Sequence, residues 1–110
     1  MTDDLENTVM EIIVNAGQTR SLCFEALQAA RDGDFPLAQA RLQEADQFSR
    51  VAHRVQTRLI EQDAGEGKTP MTLIMVHAQD HLMNAILARE LTGEMLALYQ
   101  RLHAVVPRQA

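Results

Sequence analysis

The chain has 110 residues, of which 15 are acidic and 10 basic, so the net charge of −5 and the lack of a basic stripe exclude nucleic acid as the expected partner. Apolar residues make up 46% and aromatic residues only 4%, a composition that favours helices over sheets and fits a single domain over residues 1–110. A single cysteine, no apolar run of about 20 residues and no basic leader predict a cytoplasmic protein.

The first predicted helix covers about residues 4–32. Asp3 and Glu6 have the spacing of a capping box at its start, and Gly33 can adopt the left-handed conformation that ends a helix. Between them, apolar residues recur at helical spacing. They are Leu5, Val9, Ile12, Ile13, Ala16, Cys23, Leu27 and Ala30.

The second predicted helix covers about residues 35–63. Asp34 is a favourable N-cap, and Pro36 is tolerated in a first turn. The apolar pattern continues to about Asp63, where the glycine-containing stretch 65–68 predicts a loop. The apolar positions are Leu37, Ala38, Leu42, Ala45, Phe48, Val51, Ala52, Val55 and Leu59.

The third predicted helix covers about residues 70–104. Thr69 is the expected cap, Pro70 the first helical residue, and Pro107 prevents continuation. Since no segment shows strand-like alternation, the fold class is all-α, an antiparallel, spectrin-repeat-like three-helix bundle.

The third helix is apolar on two opposed faces, at 100° per residue. One face is centred on Asp80 and contains Leu73, Val76, Met83, Leu87, Leu91 and Leu98. The other contains Met71, Met75, Ala78, Leu82, Ala85 and Leu96. One face can cover the other two helices, and the second is expected to bind copies of the same chain, with a helix of another protein as the alternative.

The chemistry-bearing residues are concentrated on the same helix. His77 and His81 lie at i and i+4, with Asp80 between them. A carboxylate buried in an apolar stripe needs a neutralising partner: a proton, a cation, or a shared site on a symmetry axis. Oxygen ligands would favour a hard divalent ion such as magnesium or manganese.

Several functions remain open on these residues alone. A zinc hydrolase would use His77 and His81, but Ala78 stands where the zinc-protease pattern requires glutamate. Phosphoryl carriage by an exposed histidine is a second possibility, because imidazole is nucleophilic near neutral pH. A non-enzymatic helical adaptor or a metal-binding bundle is the third possibility. ATP binding in the P-loop manner is not expected, because the sequence has no glycine-rich phosphate loop before a helix.

The segment His77-Ala78-Gln79-Asp80-His81-Leu82-Met83 resembles the phosphorylation-site signature of the lactose/cellobiose-type IIA components of the bacterial sugar phosphotransferase system. Further matches extend the resemblance over about residues 5–103. They are Ala16-Gly17, Arg20-Ser21, Gly33-Asp34-Phe35, Ala38, Ala52-His53 and Gln56-Thr57.

The resemblance implies specific roles for these residues. His77 would be the phosphoacceptor, through Nε2, with Gln79 and His81 as supporting neighbours. Asp80 would bind a divalent cation, expected to be Mg²⁺, shared by three subunits of a nine-helix homotrimer. His53 and Gln56 are expected to serve packing or interhelical hydrogen bonding rather than chemistry.

The resemblance also implies the partners. The phosphoryl donor would be the phosphocarrier HPr, and the acceptor a cysteine of the cognate IIB component. Contact with the membrane would be indirect, through the IIC component. The transported sugar is not encoded in any pocket of this chain, so a β-glucoside, cellobiose, chitobiose or lactose pathway remains open.

Overall fold

The computed structural model describes residues 3–105, with only the backbone of Asp3, and contains three long helices. These are α1 (Asp3–Arg31), α2 (Phe35–Ala64) and α3 (Leu73–Val105). The predicted bounds of the first two helices are confirmed to within one residue. The capping box expected at Asp3 and the helix break expected at Pro107 involve groups outside the described residues.

The connection between α1 and α2 is a tight turn whose residues satisfy the ends of both helices. Gly33 has φ 83°, and the N–H groups of Gly33 and Asp34 donate to the carbonyls of Ala30 and Ala29 at 3.0 and 2.9 Å. This is the paired hydrogen-bond pattern of a glycine-terminated helix. Asp34 then caps α2, since its Oδ1 accepts a 3.2 Å hydrogen bond from Leu37 N–H.

The start of α3 differs from the prediction, which placed the cap at Thr69 and the first helical residue at Pro70. The N–H of Thr69 instead donates to Asp63 Oδ1 at 2.8 Å, which holds this residue in the loop. Thr72 caps α3: its hydroxyl accepts from Met75 N–H at 3.3 Å and its carbonyl from Val76 N–H at 3.0 Å. Met71, predicted on the buried face, therefore precedes the helix and is 73% exposed.

The core runs along a narrow bundle that measures 64 × 21 × 20 Å. At one end, Ala30 near the end of α1 packs with Ala38 near the start of α2 and with Leu96 in the last part of α3. In the other half, the start of α1 meets the end of α2 and the start of α3; Val9, Leu59 and Met75 share one cluster. Consecutive helices are therefore antiparallel, as predicted.

The two-faced character predicted for α3 is confirmed, except at Met71. The face toward α1 and α2 is buried: Met75, Ala78, Leu82, Ala85 and Leu96 are each at most 3% exposed. The face around Asp80 lies at the surface of the single chain, with its apolar side chains exposed. Those side chains are Leu73, Val76, Met83, Leu87, Leu91 and Leu98.

One ion pair joins α2 and α3 near the middle of the bundle. The Arg89 guanidinium on α3 donates to both carboxylate oxygens of Asp46 on α2, at 2.7 and 3.0 Å. The hydrogen bond to Asp46 raises the pKa of Arg89. Nearby on α1, Cys23 is 1% exposed, and its burial raises the pKa of the thiol.

Candidate functional site

Of the four histidines, two are brought together and two are not. The rings of His77 and His81 on α3 have centroids 5.9 Å apart. His53 is exposed on α2. The ring of His103 packs edge-on against Phe35 at 5.4 Å, near the turn between α1 and α2. Only the α3 pair therefore offers two imidazoles to one site.

The pair lines an open surface depression of about 440 Å³ between α1 and α3. His77 and Asp80 are exposed on its α3 side, while His81 is half-buried. The α1 side presents Arg20 and Phe24. A larger depression, of about 920 Å³, lies at the end of the bundle near the α2–α3 loop, but no histidine or cysteine lines it.

Helix α1 passes close to the histidines at Gly17. A Cβ placed on Gly17 would lie 3.7 Å from His81 Nε2, so the backbone of α1 passes directly beside this ring. Arg20 and Phe24 follow at i+3 and i+7 on the same face of α1. The guanidinium carbon of Arg20 lies 5.8 Å from the centre of the Phe24 ring. Sequence reasoning noted Arg20 only as part of the family pattern and assigned it no role.

Gln79 is not part of this depression. It is about 160° from His77 around the helix axis. Its Oε1 accepts a 2.5 Å hydrogen bond from Gln56 Nε2, and its own amide faces Met75 Sδ at 3.7 Å. The interhelical role predicted for Gln56 thus has a direct partner in Gln79, and within one chain Gln79 contacts α2 rather than His77.

Within the described part of one chain, no group of three or more His, Cys, Asp and Glu side chains is arranged to hold a metal ion. Among residues 3–105 of one chain, His77 and His81 have no third side chain placed with them as a catalytic zinc site would require. Asp80 is exposed in the centre of the uncovered apolar face. Its carboxylate suits a hard cation only if other copies of the chain add further oxygen ligands.

The fold and the site define a class: a small three-helix domain whose third helix displays a nucleophilic imidazole at an open surface. The family model described as "PTS system, Lactose/Cellobiose specific IIA subunit" matches residues 7–100. The chain belongs to this family and is a phosphotransferase component, a phosphocarrier of the sugar phosphotransferase system. No helix among residues 3–105 combines the length and apolarity needed to cross a bilayer.

Individual relatives agree with the family. The chain is 50% identical over 102 residues to the N,N'-diacetylchitobiose-specific EIIA component of Escherichia coli K12, covering 93% of this chain and 88% of that protein. It is 43% identical to the lichenan-specific IIA component of Bacillus subtilis, covering 93% of both.

Solved structures show the same fold. The cellobiose-specific enzyme IIA of Bacillus anthracis superposes with a TM-score of 0.92 at 39% identity, covering 96% of this chain and 97% of that one. A chitobiose IIA solved in complex with HPr gives a TM-score of 0.81 at 47% identity, with coverages of 93% and 99%.

Proposed function

We propose that this protein accepts a phosphoryl group from phospho-HPr on Nε2 of His77 and transfers it to a cysteine of a cognate IIB component during sugar uptake in the cytoplasm. The observation that carries the proposal is the position of His77. It is an exposed imidazole, beside a second histidine, on an open face that a partner protein can reach. The relative solved with HPr supports HPr as the donor.

The two transfers conserve the phosphoryl group. In the first, the lone pair of His77 Nε2 attacks phosphorus in line, the new N–P bond forms, and the N–P bond of the donor breaks. In the second, the IIB thiolate attacks the same phosphorus, an S–P bond forms, and His77 is released. The open depression is consistent with this relay, because each partner must bring its own reactive group close to His77.

His81 is proposed to assist this chemistry. Its ring lies next to that of His77, and on its other side it approaches α1 at Gly17. A half-buried imidazole in this position can donate a hydrogen bond to the phosphoryl oxygens. Gln79 contributes indirectly within one chain, since its amide is held by α2.

The functional unit is proposed to be a homotrimer of nine helices. The uncovered α3 face has the apolar side chains that such an interface needs, and three helices from three chains would bring three copies of Asp80 together. The mutual repulsion of these carboxylates would be relieved by one divalent cation, proposed to be Mg²⁺, whose contribution is charge neutralisation. A non-enzymatic adaptor would also use the apolar face of α3. Family membership favours a phosphocarrier over such an adaptor.

The decisive experiment is labelling with phosphoenolpyruvate, enzyme I and HPr. The unmodified protein is expected to gain an acid-labile, base-stable phosphate, and His77→Ala to gain none. His53→Ala is the matched control, because it removes an exposed imidazole from α2 and should label normally. Full labelling of His77→Ala with an intact helical spectrum would show that the acceptor site is wrong.

A further inference from the structure

Arg20 is a cation at the edge of the phosphoacceptor site. It lines the same depression as His77, Asp80 and His81, but belongs to α1. Within residues 3–105 its guanidinium forms no ion pair and rests only over the Phe24 ring. Its five N–H donors are therefore available to a ligand.

Two other arginines, Arg41 and Arg89, are already engaged in ion pairs. Arg89 is bound to Asp46 with two hydrogen bonds, and Arg41 pairs with Glu44 and Glu25. Of the side chains that line the His77 depression, Arg20 alone carries a permanent positive charge. The other ionisable groups there are Asp80 and the two imidazoles.

Phosphorylation changes the charge balance of this depression strongly. A phosphoryl group adds nearly two negative charges and three acceptor oxygens, as it does on other side chains. It would do so three residues from the Asp80 carboxylate, on the same side of α3, in a protein whose net charge is already −5. A nearby cation would stabilise the dianion, and a planar guanidinium matches phosphate oxygens better than an ammonium does.

We propose that Arg20 binds the phosphoryl oxygens on His77 directly, as a further catalytic residue, with Phe24 as the platform that holds the guanidinium ready in the unphosphorylated protein. The inference rests on the proposed role of His77. Arg20 and Phe24 are both exposed, so packing leaves the Arg20 side chain free to rotate from the ring toward the phosphoryl group. The contact neutralises charge in the transition state and in the phosphoprotein.

The test uses phosphoramidate as donor, so that no protein partner takes part. Attack by Nε2 forms the N–P bond while the donor N–P bond breaks and ammonia leaves. Wild type, Arg20→Ala, Arg20→Lys and Arg58→Ala would be compared by the rate of labelling and by ³¹P NMR titration of the phosphoryl group. Arg58 is a matched control, because it is an exposed arginine in a different depression on α2.

Arg20→Ala is expected to label about tenfold more slowly, less than the roughly 100-fold loss typical of a donor in a closed site, because solvent screens this exposed arginine. Its phosphoryl pKa should rise by about half a unit, because the nearby cation no longer favours the dianion. Arg20→Lys should recover part of both effects, and Arg58→Ala should match wild type. A role of Arg20 limited to docking HPr would leave both readouts unchanged, and this result would overturn the proposal. Absence of any label on wild-type His77 would instead refute the proposed function itself.

Discussion

The side-chain amide of Gln56 on α2 donates a 2.5 Å hydrogen bond to Gln79 on α3, within the same seven-residue segment that contains His77. Gln56 is only 8% exposed. The contact therefore joins α2 and α3 directly, close to His77 along the helix, and adds to the apolar packing that holds this part of α3 in place.

Gln79→Ala is expected to destabilise the protein by about 1–3 kcal/mol, because it leaves a buried amide without its partner. The double variant Gln56→Leu/Gln79→Leu should cost less than the sum of the single changes, since neither polar group remains. Urea unfolding of Gln56→Leu, Gln79→Leu and the double variant measures this coupling, and Gln79→Ala gives the cost of the unpaired amide. Equal, additive costs would show that the two amides are not coupled.

Asp80→Leu is expected to preserve or strengthen the proposed trimer and to abolish divalent-cation binding. It replaces a carboxylate in the centre of an apolar face with a side chain of similar size that has no charge to neutralise. Sedimentation and bound-metal analysis give the two readouts, with the exposed Asp63→Leu at the end of α2 as a control. A monomeric wild-type protein, with or without magnesium, would contradict the shared-carboxylate arrangement.

Asp46→Ala should destabilise the bundle by about 1 kcal/mol, the usual scale for a well-formed pair that is partly exposed to water. The side chains of Arg89 and Asp46 are 28% and 34% exposed, so solvent screens part of their attraction. High salt should reduce the difference between variant and wild type. A loss that does not change with salt would point to packing rather than charge.

Because of Cys23, the free energy of unfolding is expected to change with pH in the alkaline range. Because burial raises its pKa in the folded protein, the thiol of the unfolded chain loses its proton first, above the ordinary pKa of about 8.5. The contribution of Cys23 to the free energy of unfolding is therefore complete below that pH and falls as pH rises toward the folded pKa. Cys23→Ala should show a shallower decline than wild type above about pH 8.5 in parallel denaturation curves; identical slopes would exclude the effect.

Thr72→Ala should destabilise the protein by about 1 kcal/mol through loss of the α3 cap. Thr69→Ala should cost less, because its hydroxyl does not cap a helix and only its backbone N–H, which alanine retains, binds Asp63. Thermal unfolding compares the two. A larger loss for Thr69→Ala would support the helix start predicted from sequence.

The sequence by itself determined the three helices and the two-faced α3, because helical periodicity and turn residues are local patterns. A seven-residue signature, also local, led it to predict His77 as the phosphoacceptor. Two expectations were wrong for a local reason: the start of α3 at Thr69-Pro70, and the place of Met71 on the covered face of that helix. Thr69-Pro70 has the pattern of a helix start, but the hydrogen bond from Thr69 N–H to Asp63 keeps it in the loop and leaves Met71 exposed. Only the tertiary structure decided that Gln79 meets Gln56 and that Arg20 lines the same depression as His77. These neighbours depend on the axial register and rotation of one helix against another, which many side chains set together and no single periodicity encodes.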